Sequence, residues 1–343
     1  MALPNALKPI IDHLDNVLVI EDGIITHSTL DAPFNTLDIT TDKTADIFTK
    51  TTIDSDKKDL FSTDKVNSFF ALSIGKKVTF DVPLYLFIIA KNKDLVHRTE
   101  IDIDQQSTFP LIEYVYADNT RSVTLMSQSR VQEHATLSYT SISNMTKDSV
   151  KAAIRNADIK RYGNINYTHA AFASGVMHQE NNIYLNDDYA SATSKTVALT
   201  TKHQEALIKT LIEHRAPFTE GFIEHYGVAN DASTLLFEGT GKINKGMRRS
   251  NARQSNKGIV IGDQARLDAN PFLLIDEYDV EASHGAAIGK IDEDQLYYLM
   301  SRGLDQKAAE RLIIQGYLAP LNTMIHNEHL KTHIETLLND RIQ

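Results

Sequence analysis

Cysteine is absent from all 343 residues. Disulfide staples, thiolate metal sites, persulfide chemistry and a cysteine nucleophile are therefore excluded within this chain. Basic charge is also short: 35 Lys and Arg stand against 45 Asp and Glu, a net charge of -10. The summed field repels a phosphate backbone, so no nucleic-acid partner is expected. Long hydrophobic runs are missing too. The longest, 82–90 (VPLYLFIIA), is half of the about 20 residues that a membrane-crossing helix needs. The opening MALPNALKPIIDHLDN shows no basic stretch followed by an apolar one. No membrane partner is expected, and the protein is read as soluble and cytoplasmic. The common catalytic signatures are missing as well: the phosphate loop, the nucleophile elbow, the zinc helix and the dinucleotide fingerprint. Tryptophan is also lacking, which decides nothing about function.

What is present is an ordinary globular composition, with 42% hydrophobic and 23% charged residues, enough for a substantial core. Between 77 and 279, short runs rich in Val, Ile, Tyr, Phe and Thr follow one another, bounded by Asn, Asp, Gly or Ser. Examples are 78–90, 110–116, 122–126, 136–142, 197–200 and 258–261. They read as strands of a sandwich, a barrel or a parallel β-helix, and no constant interval selects among these. Two stretches have apolar residues at helical spacing: 59–72 (DLFSTDKVNSFFAL), and 202–214 (KHQEALIKTLIEH). The first predicts a helix leading into the main domain, the second a helix or a pair of strands. The C-terminal part is clearer. Asp292 with Gln295 predicts a capped helix ending at Gly303. Asp305 predicts a second that ends at Gly316, and Leu330, Ile334, Leu337 and Leu338 mark one face of a third.

Several clusters invite chemical readings. Glu238 to Gly246 (EGTGKINKG) lacks the third glycine of a phosphate cradle. Asp276, Glu277 and Asp279 offer hard oxygen ligands, but the cluster reads first as a solvated turn at the edge of a coil, since ligation needs a convergent geometry that spacing does not show. His326, His329 and His333 share one helix face and read as solvent-facing or partner-facing surface. Lys242, Lys245, Arg248, Arg249, Arg253 and Lys257 form a basic stretch without aromatic platforms, read as a solvated rim.

Three consecutive blocks carry a longer signal: 225–246 (HYGVANDASTLLFEGTGKINKG), 250–289 (SNARQSNKGIVIGDQARLDANPFLLIDEYDVEASHGAAIG) and 291–320 (IDEDQLYYLMSRGLDQKAAERLIIQGYLAP). They resemble the SufB/SufD family of iron-sulfur cluster assembly proteins over more than a quarter of the chain. The resemblance implies a mainly β fold: a right-handed parallel β-helix with a short N-terminal α/β region and a C-terminal α-helical module. The expected divisions are 1–75, a shortened N-terminal region, 76–284, the β-helix, and 285–343, the helical module.

By the same resemblance the chain is a non-catalytic scaffold subunit. It would pair with a SufB-like subunit through the β-helix and with a SufC-like ABC-type ATPase through the C-terminal helices, where Tyr297, Tyr298, Met300, Ile314, Tyr317 and Leu318 exceed what one stripe can bury. A homodimer is possible in isolation. SufB members carry the sulfur-accepting cysteine, so a chain with none sides with the SufD branch, as does the Ser283-His284-Gly285 sequence. His284 is the implied ligand of a nascent iron-sulfur cluster, transient and held at the SufB interface, since an imidazole is a good iron ligand. Many members have Cys two residues earlier, where this chain has Ala282. No cofactor bound stably by this chain alone is expected. The rival reading is a β-helix polysaccharide-active enzyme, with Asp187 and Asp188 as the acid pair.

Overall fold

The computed structural model describes residues 7–32, 34, 37–41, 65–117, 121–145, 150–172, 175–321, 325 and 327–342. After helix α1 (Lys8–Ile11) come short strands β1 (Val17–Glu21), β2 (Ile24–Thr29), β3 (Asp38–Thr40), β4 (Ser68–Ile74), β5 (Leu84–Ala90) and β6 (Leu95–Ile103). Strands of nine or ten residues then alternate with tight turns: β7 (Thr108–Ala117), β8 (Ser122–Val131), β9 (Thr136–Met145), β10 (Val150–Ile159), β11 (Asn164–Phe172), β12 (Val176–Leu185) and β13 (Ser191–Thr200). The series continues with β14 (Glu205–His214), β15 (Glu220–Ala229), β16 (Thr234–Ile243), β17 (Asn251–Val260), β18 (Arg266–Ile275) and β19 (Glu281–Lys290). Helices α2 (Glu293–Ser301), α3 (Gln306–Leu318) and α4 (Glu328–Arg341) close the chain.

From β4 onward, odd strands pair with odd and even with even, all in parallel, giving one sheet in the order β19-β17-β15-β13-β11-β9-β7-β5-β1-β2 and another in the order β18-β16-β14-β12-β10-β8-β6-β4-β3. This is a parallel β-helix of about 7 turns, and 56% of the residues are in strands. Each coil is two strands and two turns. The coil length drifts, which hides the repeat. Thr108, Thr136, Asn164, Ser191, Glu220, Asn251 and Glu281 lie in one register row, at successive separations of 28, 28, 27, 29, 31 and 30 residues. Turn insertions absorb the drift without shifting the pleat, so every strand keeps its apolar face inward.

One corner of each coil is a turn whose second residue has positive φ and is not glycine: Lys77, Gln106, His134, Tyr162, Tyr189, Phe218 and Arg249. Four of these are rings stacked along the helix axis, with centroids 4.7 Å apart for His134 and Tyr162, 4.8 Å for Tyr162 and Tyr189, and 5.1 Å for Tyr189 and Phe218. The stacking offsets the cost of the left-handed backbone, about 1 kcal/mol or more per non-glycine residue.

The core has two main parts among the described residues. Inside the coils, Leu, Ile, Val and Phe fill the lumen, for example Ile101, Ile103, Ile159, Ile183 and Phe237. Outside, the ten-stranded sheet presents a second apolar face, with Val19, Phe87, Ile89 and Phe172 among its residues, and helices α1, α3 and α4 lie on it through Ile10, Ile314, Leu330, Ile334 and Leu338. Burial on both faces explains the uninterrupted apolar run of β5. The nine-stranded sheet instead turns charged pairs outward, such as Lys209 with Glu238 at 2.8 Å.

Several local expectations change. Of the helix expected over 59–72, residues 59–64 lie outside the described residues, and Phe69, Phe70 and Leu72 sit in strand β4. Residues 205–214 are strand β14, with Ala206, Ile208, Thr210, Ile212 and His214 buried and their neighbours facing out. Leu207, Ile208, Leu211 and Ile212 fit a helical stripe equally, but parallel neighbours on both sides impose the period of two. Asp292 and Asp305 cap α2 and α3 as expected, accepting from the Asp294, Gln295 and Ala308 N–H groups, and Gly303 takes the left-handed turn at φ +97°. Gly316 does not end α3, which runs to Leu318 because Ile314 and Leu318 continue its buried stripe.

Candidate functional site

Among the described residues, no strand caps the end of the solenoid. Strands β18 and β19 each have one paired edge and, among the described residues, no strand on the other. All ten residues of β19 are exposed, and Phe272, Leu274 and Ile275 of β18 are 47%, 54% and 38% exposed. Two open edges flanked by exposed apolar side chains form a surface built for strand pairing.

His284 lies within β19, not at its end, and β19 continues through Lys290. Its register partner is Gln254, a residue of the inward row that runs back through Ile223, Ser194 and Tyr167 to Tyr139. By the alternation of the strand, His284 therefore occupies an inward position, at the mouth of the lumen where no further coil covers it. Two amides of the preceding coil hold the last coil from within. Gln254 Nε2 donates to the Phe272 carbonyl at 2.7 Å, and Asn256 Nδ2 reaches the Gly285 carbonyl at 3.5 Å. Behind Asn256, His225 Nδ1 lies 2.8 Å from Asn256 Oδ1, and Thr210 Oγ1 is 3.2 Å from His225 Nε2. That fixes the tautomer: His225 donates from Nδ1 and accepts from the threonine hydroxyl at Nε2. Burial pushes the imidazole pKa down to about 4, against a smaller upward effect of Asn256.

Among the described residues, no three His, Cys, Asp or Glu side chains converge as a metal cage would require. His284 thus offers one imidazole at the mouth, without two further His, Asp or Glu side chains beside it among the described residues. Of the acidic cluster before it, Glu277 is engaged otherwise. The Glu277 carboxylate accepts from the backbone N–H groups of Gly246, Tyr278 and Asp279, which hold its pKa down, so it caps a turn. The basic stretch is dispersed too. Lys242 pairs with Glu213 at 3.0 Å, Arg253 with Glu281 at 3.3 Å, and Arg248 and Arg249 lie over Phe218.

The histidine stripe of α4 divides: His329 is exposed, as a surface reading expects, whereas His333 is half-buried against the sheet. His326 lies outside the described residues. His329 stacks on His13 at 4.3 Å, and His333 Nε2 is 2.8 Å from the hydroxyl of buried Tyr114. Asn144 Nδ2 donates to the same hydroxyl, and Arg341 donates to Asn144. Helix α4 rests its Leu330–Ile334–Leu338 face on the sheet, which carries the adjacent His333 inward. Helices α2 and α3 bury less: Tyr297, Tyr298, Met300 and Leu312 are 75%, 57%, 41% and 48% exposed, whereas Ile314 and Leu318 are buried. A groove of about 740 Å³ between α3 and the sheet is walled by Tyr226, Leu312, Ile313 and Tyr317, with Lys195 and Lys257 beside it.

Asp187 and Asp188 sit in the turn between β12 and β13, at a shallow groove that also includes Lys160 and Arg161. Lys160 is 3.6 Å from Asp187, and the Asp187 and Asp188 carbonyls accept turn N–H groups from Ala190 and Tyr162.

A charged group inside the lumen escapes a reading by composition. Glu113 in β7 accepts from Tyr139 at 2.8 Å, Ser141 at 2.7 Å and Arg155 at 2.8 Å. Desolvation raises its pKa, but Arg155, Ser141, Lys151 and Tyr139 together outweigh that and hold it at about 2. The available signal was a charge at an inward position of two apolar strands, LIEYVYA and KAAIRNADI.

Comparison with known proteins agrees with this architecture. Residues 87–317 match the family described as SUF system FeS cluster assembly, SufBD core domain. The chain is 30% identical over 288 residues to the iron-sulfur cluster assembly protein SufD of Bacillus subtilis, covering 81% of this chain and 65% of that protein. It is 27% identical over 177 residues to the SufD of Escherichia coli, covering 51% and 42%, and 26% identical over 260 residues to a SufBD family protein of Mycobacterium leprae, covering 74% and 30%. It therefore spans less than two thirds of the length of each of these relatives. With a parallel β-helix, a family match across most of it and a SufD protein at 30% identity, this chain belongs to the SufBD core family of the SUF iron-sulfur cluster assembly system.

Proposed function

We propose that this chain is a non-catalytic scaffold subunit of a SufBCD-type complex for de novo iron-sulfur cluster assembly, working in the cytoplasm. The observation that carries the reading is the uncapped last coil, with two open strand edges, exposed Phe272 and Leu274, and His284 at an inward position in the mouth. A SufB-like subunit adding strands to β18 and β19 would cover these side chains and bring its own ligands against His284. With no cysteine in this chain, the sulfur and the thiolates come from that partner, and the cluster is a transient cargo of the interface. The exposed Tyr297, Tyr298, Met300 and Leu312 of α2 and α3 suit docking of a SufC-like ATPase.

The test is reconstitution with SufB-like and SufC-like subunits. The three chains should co-purify in defined ratio, and His284→Ala should lower the yield of reconstituted cluster, followed by its visible absorption, with the complex intact. Unchanged yield would remove His284 from the site. Failure of the partners to bind, with this chain folded, would refute the scaffold role.

A further inference from the structure

Polar side chains gather in two consecutive coils deep in the lumen. Arg155 and Asn181 are register partners on the nine-stranded sheet, His169 and Thr196 on the ten-stranded sheet, and Ser194 is the next inward residue before Thr196. All five are at most 1% exposed. Arg155 spends Nη2 on Glu113 and Ser141. Its Nε and Nη1, both ring nitrogens of His169, Asn181 Nδ2, Ser194 Oγ and Thr196 Oγ1 have no hydrogen-bond partner among the described residues.

Buried polar groups in folded proteins are almost always satisfied, so a cluster of this kind asks for a common partner. The kind of partner follows from the chemistry. Guanidinium and amide N–H groups only donate, the two hydroxyls can donate, and a neutral imidazole supplies one N–H. The nearby acceptor, Glu113, is already engaged by Tyr139, Ser141 and Arg155. Charge agrees. Two cationic side chains, Arg155 and Lys151, face this stretch against the single carboxylate of Glu113, and Lys151 is also buried. Burial first, and Arg155 nearby, push the Lys151 pKa down to about 7 against an upward effect of Glu113. Inward neighbours Ala157, Ala171 and Ala198 are small.

We propose that this part of the lumen is a binding site for a small monovalent inorganic anion of halide size, held by the free N–H groups of Arg155 and by Asn181, His169, Ser194 and Thr196. The site is separate from the open end, and its existence does not depend on the assembly role.

Bromide is the probe. Crystals of the full chain, refolded and grown with bromide as the sole halide, should give an anomalous peak within hydrogen-bonding distance of Arg155 and Thr196. Density there without anomalous signal means water and overturns the proposal. In solution, the melting temperature should rise with the logarithm of chloride concentration relative to the same ionic strength of gluconate, which is too large to enter. Thr196→Val, nearly isosteric, removes one hydroxyl and should raise the half-saturating chloride concentration about tenfold, the worth of one hydrogen bond to an anion. Equal melting curves in chloride and gluconate, or an unchanged midpoint in Thr196→Val, would refute it.

Discussion

Replacing Glu113 by Leu is the sharpest test of how the solenoid interior is held together. The wild-type carboxylate is fully enclosed, ion-paired to Arg155 at 2.8 Å and hydrogen-bonded to Tyr139 and Ser141. Glu113→Leu keeps the volume roughly constant but strands the Arg155 cation in the lumen and leaves two hydroxyls without their acceptor. Removing one partner of a buried pair costs about 3–5 kcal/mol, a large part of a typical domain stability of about 5–15 kcal/mol. The double variant Glu113→Leu/Arg155→Met removes the stranded charge as well, so most of that loss should be recovered. Coils stack as a one-dimensional array, so unfolding need not be all-or-none. Urea unfolding by circular dichroism is best paired with hydrogen exchange at β7, β9 and β10. A single variant within about 1 kcal/mol of wild type, or a double variant no more stable than the single, would refute the reasoning. The pH dependence has a definite sign. The folded pKa lies below the unfolded one, so the contribution of Glu113 is complete above about 4.5 and is lost as pH falls toward about 2.

Other outcomes follow from the same physics. Burial pushes His97, His214, His225 and His333 each down to about 4; stabilisation from keeping them neutral is complete above the unfolded value near 6.5 and disappears as pH falls to about 4, so acid should loosen α4 at His333, visible as faster amide exchange there. Ile334→Asp should release α4 from the sheet at a cost of about 3 kcal/mol or more, since it loses a buried side chain and buries a charge; limited proteolysis would then cut within α4, and an unchanged digestion pattern would contradict the packing. At Gly262, a Cβ would lie 2.2 Å from the Asp231 carbonyl oxygen and 2.4 Å from its nitrogen; Gly262→Ala should therefore lower the thermal midpoint, by about 1–3 kcal/mol of overpacking strain.

Much of this molecule was legible as sequence. The strand-rich runs indicated a mainly β protein, the blocks from 225 to 320 carried the resemblance to the SufB/SufD family and with it the β-helix, and Asp292, Asp305 and Gly303 marked helix ends because capping is a local interaction between neighbours in the chain. The limit set by the absent thiols also needs no coordinates: no fold supplies a ligand type that the sequence lacks.

What lies between distant residues was decided only in three dimensions. The drift from 27 to 31 residues per coil concealed the repeat that stacks His134, Tyr162, Tyr189 and Phe218 into one column. The stretch 205–214 fits two periods, and only neighbouring strands choose between them. The Glu113–Arg155 pair joins residues 42 positions apart, and Tyr114 meets His333 across 219, so no local pattern announces either. His284 was identifiable by its sequence neighbourhood. Its inward place in the uncovered mouth depends on the register of β19 against β17, which the folded chain alone fixes.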